Sequence, residues 1–114
     1  MRCLCEQKET FDLKIEGDVG ADPIWCAQCG CNLELEGLPI SNELKEKLMD
    51  WVTNYGKWID WDTDKITPNG IEMEEAHNRE GEILTKQTKQ ELKNNYRMTF
   101  SPSTMGRSYA SRNF

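Results

Sequence analysis

At 114 residues the chain is one domain's worth of polymer, and with 37% hydrophobic residues it can build only a thin core. The formal net charge is −6, and because all 20 acidic residues but only 12 of the 14 basic ones lie in the first hundred positions, the body carries −8. Such a body repels a phosphate backbone, which makes nucleic acid an unlikely partner and a basic protein surface a better one.

The N-terminus, Met1-Arg-Cys-Leu-Cys5, turns polar without an apolar run of seven or more residues, so no signal peptide is expected. Nothing approaches the roughly 18 consecutive apolar residues of a membrane-spanning helix. The expected compartment is the cytoplasm, where thiols stay reduced and five cysteines favour a metal over disulfides.

Residues 1–37 contain all five cysteines. Within them Phe11-Asp-Leu-Lys-Ile15 alternates apolar and polar, the period of a half-buried strand, and Leu33 and Leu35 alternate with acids as a second short strand. Residues 38–100 are expected to pack on this region as one unit. A helix is capped by Ser41 or Asn42, carries Leu44, Leu48, Trp51, Val52 and Tyr55 as one stripe, and ends at Gly56. A short strand over Trp58–Trp61 leads to the turn Thr67-Pro-Asn-Gly70. Glu72 to Asn95 reads as helix in two parts, with Leu84, Thr88 and Leu92 in four-residue steps and Gly81 as a close-packing point. Tyr96, Met98 and Phe100 return as a strand. Residues 101–114, rich in Ser, Arg and Asn, read as a flexible tail.

Cys3-Leu-Cys5 and Cys26-Ala-Gln-Cys29-Gly30 form two short pairs, each able to project two sulfurs from one tight turn. Four such sulfurs suit tetrahedral Zn²⁺, and an all-thiolate site is closed and structural rather than catalytic. Cys31 is the alternative ligand, since Cys29-Gly-Cys31 repeats the spacing of Cys3-Leu-Cys5; the commoner C-x₂-C spacing favours Cys26 with Cys29. Unligated thiols, a disulfide and an iron–sulfur cluster are the weaker readings, the last because this spacing is not typical of clusters.

The two pairs and their spacing resemble the zinc-ribbon class over about the first 35 residues. That resemblance implies a β unit built from two hairpins around one ion, and no particular activity. The run Gly81…Leu84…Glu91-Leu92 followed by Tyr96-Arg-Met-Thr-Phe100 resembles small bacterial proteins in which a Cys-rich ribbon precedes a helix, a class that implies no activity either.

The remaining constellations are weak. Asp60, Asp62 and Asp64 occupy the first, third and fifth places of a calcium loop, but Lys65 stands where the bend needs glycine and Ile71 where the bidentate acid belongs. His77-Asn-Arg-Glu-Gly81 is similar to a His-Asn nuclease signature, yet His77 is the lone histidine, and such chemistry needs a second. A small hydrolase or nuclease using His77, alone or with Cys31 as nucleophile, is therefore the low-ranking enzymatic reading, and a packing role is the better one for His77. Trp25 is expected to shield the sulfurs and Trp51 lies on the helix stripe; all four tryptophans are expected to fill the thin core, with Trp58 or Trp61, set among acids, as a partner anchor in the alternative. The expectation is an α+β fold: a zinc-ribbon-like β unit packed with two helices and a few antiparallel strands. The expected function is that of a non-enzymatic, zinc-stabilised interaction protein (immunity, inhibitor or regulatory) that meets another protein through an acidic, tryptophan-bearing surface. A nucleic-acid-binding ribbon using the arginine tail is the alternative.

Overall fold

The structure, a computed structural model, describes residues 1–112, with the side chains of residues 107 and 110–112 left aside. It is an α+β fold. Strands β1 (Asp12–Ile15), β2 (Ile24–Cys26), β3 (Asn32–Leu33) and β6 (Arg97–Phe100) form one sheet in the order β3-β2-β1-β6, and β4 (Ile59–Asp60) pairs with β5 (Lys65–Ile66) in a separate hairpin. Among the described residues they are accompanied by the α-helices α1 (Asn42–Thr53), α2 (Gly70–Leu92) and α3 (Met105–Arg112).

The main sheet holds the antiparallel strands expected and, beside them, a parallel pairing. β1 pairs antiparallel with β2 but parallel with β6, in the register Leu13↔Met98 and Ile15↔Phe100. Parallel neighbours need a connection that returns to the same end of the sheet, and here it runs from β2 and β3 through α1, the β4–β5 hairpin and α2. The Cys-rich front and the helical region therefore share one sheet. Leu13, Ile15, Ile24, Cys26 and Met98 point from it into a common core with Leu44, Leu48, Trp51, Val52, Leu84 and Leu92 from the helices.

Helix α1 starts as its sequence dictates: the Ser41 side chain accepts the Leu44 N–H at 3.2 Å. The Glu91 carboxylate in turn accepts the Ser41 N–H and hydroxyl at 2.6 and 2.8 Å, tying the end of α2 to the start of α1. Leu44, Leu48, Trp51 and Val52 are its buried residues; Tyr55 lies beyond the helix end in the turn closed by Gly56, whose φ is +84°.

Helix α2 is continuous where two parts were expected. Its inward face runs Gly70, Glu74, His77, Gly81, Leu84, Thr88, Leu92 at helical spacing. The first half of that face is written in glycine, glutamate and histidine, residues that hydropathy does not read as interior. Gly81 does serve as a close-packing point, since a Cβ there would collide with the Phe100 ring and the Trp51 indole.

The region from Ser101 onward is not a loose tail within the described residues. Ser101 N–H donates to Ile15 O at 2.9 Å and its hydroxyl to Glu16 at 2.6 Å. Ser103 and Asn78 exchange two hydrogen bonds, at 2.8 and 3.0 Å, and α3 then follows. Residues 113–114 of the expected tail lie outside the described residues. The turn to helix is decided by α2, whose polar side chains hold the segment in place. Among the described residues no helix is long and apolar enough to cross a membrane.

Candidate metal centre

The first thirty-one residues place two tight turns against each other. In the N-terminal turn Met1 and Thr10 exchange backbone hydrogen bonds at 2.8 and 3.0 Å, and Lys8 N–H donates to Cys5 O at 2.8 Å, with Lys8 at a positive φ of 59°. This closes a hairpin-like loop whose tip carries Cys3 and Cys5. The second turn joins β2 to β3: Cys26 N–H donates to Cys31 O at 3.0 Å and Gly30 N–H to Cys26 O at 2.9 Å. Gly30 sits at φ +77°, a conformation that favours glycine, so this backbone reversal is written into the sequence.

The two turns bring the sulfurs of Cys3, Cys5, Cys26 and Cys29 within 4.8 Å of one another. Cys5 Sγ and Cys26 Sγ, one from each turn, lie 3.5 Å apart. A tetrahedral thiolate site with metal–sulfur bonds of about 2.3 Å requires sulfurs roughly 3.8 Å apart, so the cluster needs little adjustment to close on an ion. These four are the ligands the spacing selects, and they can hold a metal ion. Cys31 stands outside the set; its sulfur lies 3.4 Å from Cys29 Sγ, at the edge of the cluster.

Backbone amides aim at the same sulfurs, with Cys29 N–H 3.5 Å from Cys26 Sγ and Cys5 N–H 3.4 Å from Cys3 Sγ. Burial pushes the Cys26 thiol up, but the Cys29 N–H and its neighbours outweigh it and the net shift is downward. The Cys31 backbone amide draws the Cys29 thiol down to about 6. Hydrogen bonding to Cys3 pushes Cys5 up, and burial pushes Cys31 up. Packed thiols share protons in this way; a cation among them would replace those protons.

The other candidate residues fall elsewhere. Trp25 does not cover the sulfurs: on β2 it alternates with the buried Ile24 and Cys26 and sends its Nε1 to Glu16 O at 3.0 Å. Trp58 is only 2% exposed, which fits the core-filling expectation and removes it as a surface anchor, whereas Trp61 is 56% exposed on the β4–β5 hairpin. Neighbouring positions of an extended segment face opposite ways, and at a three-residue separation the sequence could not say which of the two points outward. Asp60 spends its Oδ1 on the backbone amides of Asp62 and Thr63, at 3.0 and 3.3 Å, which makes it a turn-former; the three acids of this loop do not converge as the cysteines do.

His77 is a packing residue. It stacks on Trp51, with ring centroids 4.3 Å apart and 14° between planes, while Trp51 Nε1 donates to the His77 carbonyl at 2.9 Å. Burial pulls its pKa down to about 4, against an opposing pull from Glu74. Sequence reasoning missed Glu74 and Asn78, which fasten the segment before α3. Nothing in the pair Glu74-Glu75 marks one acid as interior except its seven-residue step to Gly81.

The molecule is thus a small α+β domain whose front edge is gathered around a sulfur cluster and whose helices bury a polar seam. The chain belongs to the Serratia CdiI immunity protein-like family, whose model matches residues 11–103. This is an immunity-protein family and not a zinc-ribbon family, which corrects the first resemblance while agreeing with the likeness to small bacterial proteins. The match takes in Cys26, Cys29 and Cys31 and begins after Cys3 and Cys5, so half of the sulfur cluster lies outside it. No curated protein matches the chain.

Proposed function

We propose that this chain is a non-enzymatic immunity protein of the cytoplasm that binds a toxin protein and neutralises it, with its N-terminal edge held by one structural zinc ion. The family match over residues 11–103 carries the reading, since an immunity protein acts by binding another protein. The −8 body supports it by favouring a basic partner surface. On the β4–β5 hairpin, Trp61 projects among Asp60, Asp62 and Asp64, an aromatic anchor with an acidic rim, and this is the surface assigned to the partner.

Zinc fits the donor set: four thiols from two turns, already gathered, with amide donors to the sulfurs. Cys3, Cys5, Cys26 and Cys29 would be its ligands, with Cys31 as the fifth thiol at the rim. All-thiolate zinc leaves no open position for water, so its contribution is to folding. The test is co-production with a toxin encoded beside it. Relief of growth arrest together with a stoichiometric complex supports the reading; a toxin that arrests growth unabated and forms no complex with the folded, metal-loaded protein removes it.

A further inference from the structure

Cys31 is the sulfur left over when Cys3, Cys5, Cys26 and Cys29 take a metal, yet it stands beside the set rather than away from it. Its Sγ lies 3.4 Å from Cys29 Sγ. A disulfide bond is about 2.05 Å long, so the two sulfurs have about 1.4 Å to close, within the reach of side-chain rotation. Both residues sit in the turn from β2 to β3. Gly30, at φ +77°, reverses the chain between them, and the Cys26 N–H holds Cys31 O at 3.0 Å. The reversal draws together sulfurs whose residues an extended chain would hold about 7 Å apart.

Exposure divides the labour within the pair. Cys29 is exposed and open to a small solute, whereas Cys31 is half-buried against the core. Another pair is almost as close, with Cys5 Sγ 3.5 Å from Cys26 Sγ. Cys26 is fully buried, however, and both of these residues belong to the metal set, so joining them would remove two ligands at once. Joining Cys29 to Cys31 removes one ligand and uses the thiol that the metal leaves free.

We propose that Cys29 and Cys31 are a reversible oxidation site, in which a hydroperoxide joins them as a disulfide and takes one ligand away from the metal cluster. The inference rests on the structural-zinc reading and adds its regulation. The Cys29 thiolate attacks one oxygen of hydrogen peroxide; the O–O bond breaks, and the departing hydroxide takes a proton from solvent to become water. Cys29 is now a sulfenic acid, oxidised by two electrons. The Cys31 sulfur attacks it, the S–S bond forms, the S–O bond breaks, and the hydroxyl leaves as a second water with the Cys31 proton. Three thiolates remain at the cluster, one short of a closed tetrahedral site. A dithiol reductant returns both sulfurs and the fourth ligand.

The test follows metal and sulfur together and needs no toxin. The zinc-loaded protein is treated with hydrogen peroxide at a concentration that oxidises free cysteine in a parallel tube. Zinc release is followed with a chromogenic chelator, and remaining thiols are alkylated before peptide mass spectrometry. One equivalent of zinc is expected to leave for each disulfide formed, with Cys29 and Cys31 joined and Cys3, Cys5 and Cys26 alkylated. Zinc affinity is expected to fall about a hundredfold or more, beyond the cost of losing an outer-shell contact, and dithiothreitol is expected to restore it. In Cys31→Ser, Cys29 is expected to stop at a sulfenic acid that dimedone traps, to pass on to the sulfinic acid, and to forfeit about half or more of the zinc recovery. A Cys5–Cys26 disulfide as first product overturns the assignment, as does equal recovery in wild type and Cys31→Ser. Zinc held despite a Cys29–Cys31 bond overturns the loss of the ligand, and all five thiols intact after peroxide overturns the site. A protein that takes up no zinc removes the metal reading alone; the same mapping on the metal-free chain then decides the disulfide by its presence or absence.

Discussion

Glu74 Oε2 accepts the backbone N–H of Gly106 at 2.6 Å, so a carboxylate buried in α2 caps the first turn of α3. The same oxygen takes the Ser103 hydroxyl at 2.8 Å. A negative charge at a helix N-terminus is favoured by the orphan amides and the dipole there, and Gly106 permits the approach because a Cβ would sit 3.0–3.1 Å from the carboxyl group. Glu74→Ala is expected to cost roughly 2–3 kcal/mol of stability, since it leaves those donors without their charged acceptor. Hydrogen exchange localises the effect: amides of residues 103–108 should lose protection before those of α1. Uniform loss across the protein would mean that α3 is not an outpost held by Glu74.

Metal binding gives the second expectation. Zinc at one equivalent is expected in the wild type and in Cys31→Ser, and to be lost in Cys26→Ser, by elemental analysis. Removal by a chelator should lower stability by about 4 kcal/mol relative to free zinc held a thousandfold above its dissociation constant. Zinc retained at full occupancy by Cys26→Ser would mean that Cys31 has taken its place.

Acid should weaken the fold through His77. Its native pKa is drawn down to about 4 by burial, below the ordinary value of 6.5. Between these values the unfolded chain binds the proton and the native chain does not, so stability is complete above about pH 6.5 and falls as the pH drops towards 4. The loss is about 2 kcal/mol, discounted for the solvent that reaches the ring. His77→Phe should flatten this part of the profile in denaturant titrations at several pH values.

Gly81→Ala improves helix propensity by up to about 1 kcal/mol, yet it is expected to destabilise the protein by about 1–3 kcal/mol. The added methyl has no room between Phe100 and Trp51. A raised melting temperature would show that β6 can shift away at no cost.

Trp61→Ala is expected to weaken toxin binding about tenfold or more while changing stability by less than about 1 kcal/mol, as read by calorimetric titration beside thermal melts. Trp61 rests on its own turn, its Nε1 donating to Gly56 O at 3.2 Å, so little of the core depends on it.

Helix α1, strands β1 and β6 and the sulfur set Cys3, Cys5, Cys26 and Cys29 were legible in the chain because each is a local matter. A capped apolar stripe, a period-two alternation and two short Cys pairs are all decided within a dozen residues. The continuity of α2 was not, since its first two turns bury Glu74 and His77, and a polar residue becomes interior only when distant atoms answer it.

By itself, then, the sequence determined α1, β1 and β6, the metal-binding potential of its front edge and the acidic character of its surface. The parallel pairing of β1 with β6, the inward turn of Trp58 against the outward turn of Trp61, and the folding of residues 105–112 onto α2 were decided by tertiary structure. The physical reason is common to all three. Each depends on a hydrogen bond or a packing contact between residues far apart in the chain, such as Ser103 with Asn78, and no local periodicity records such a partner.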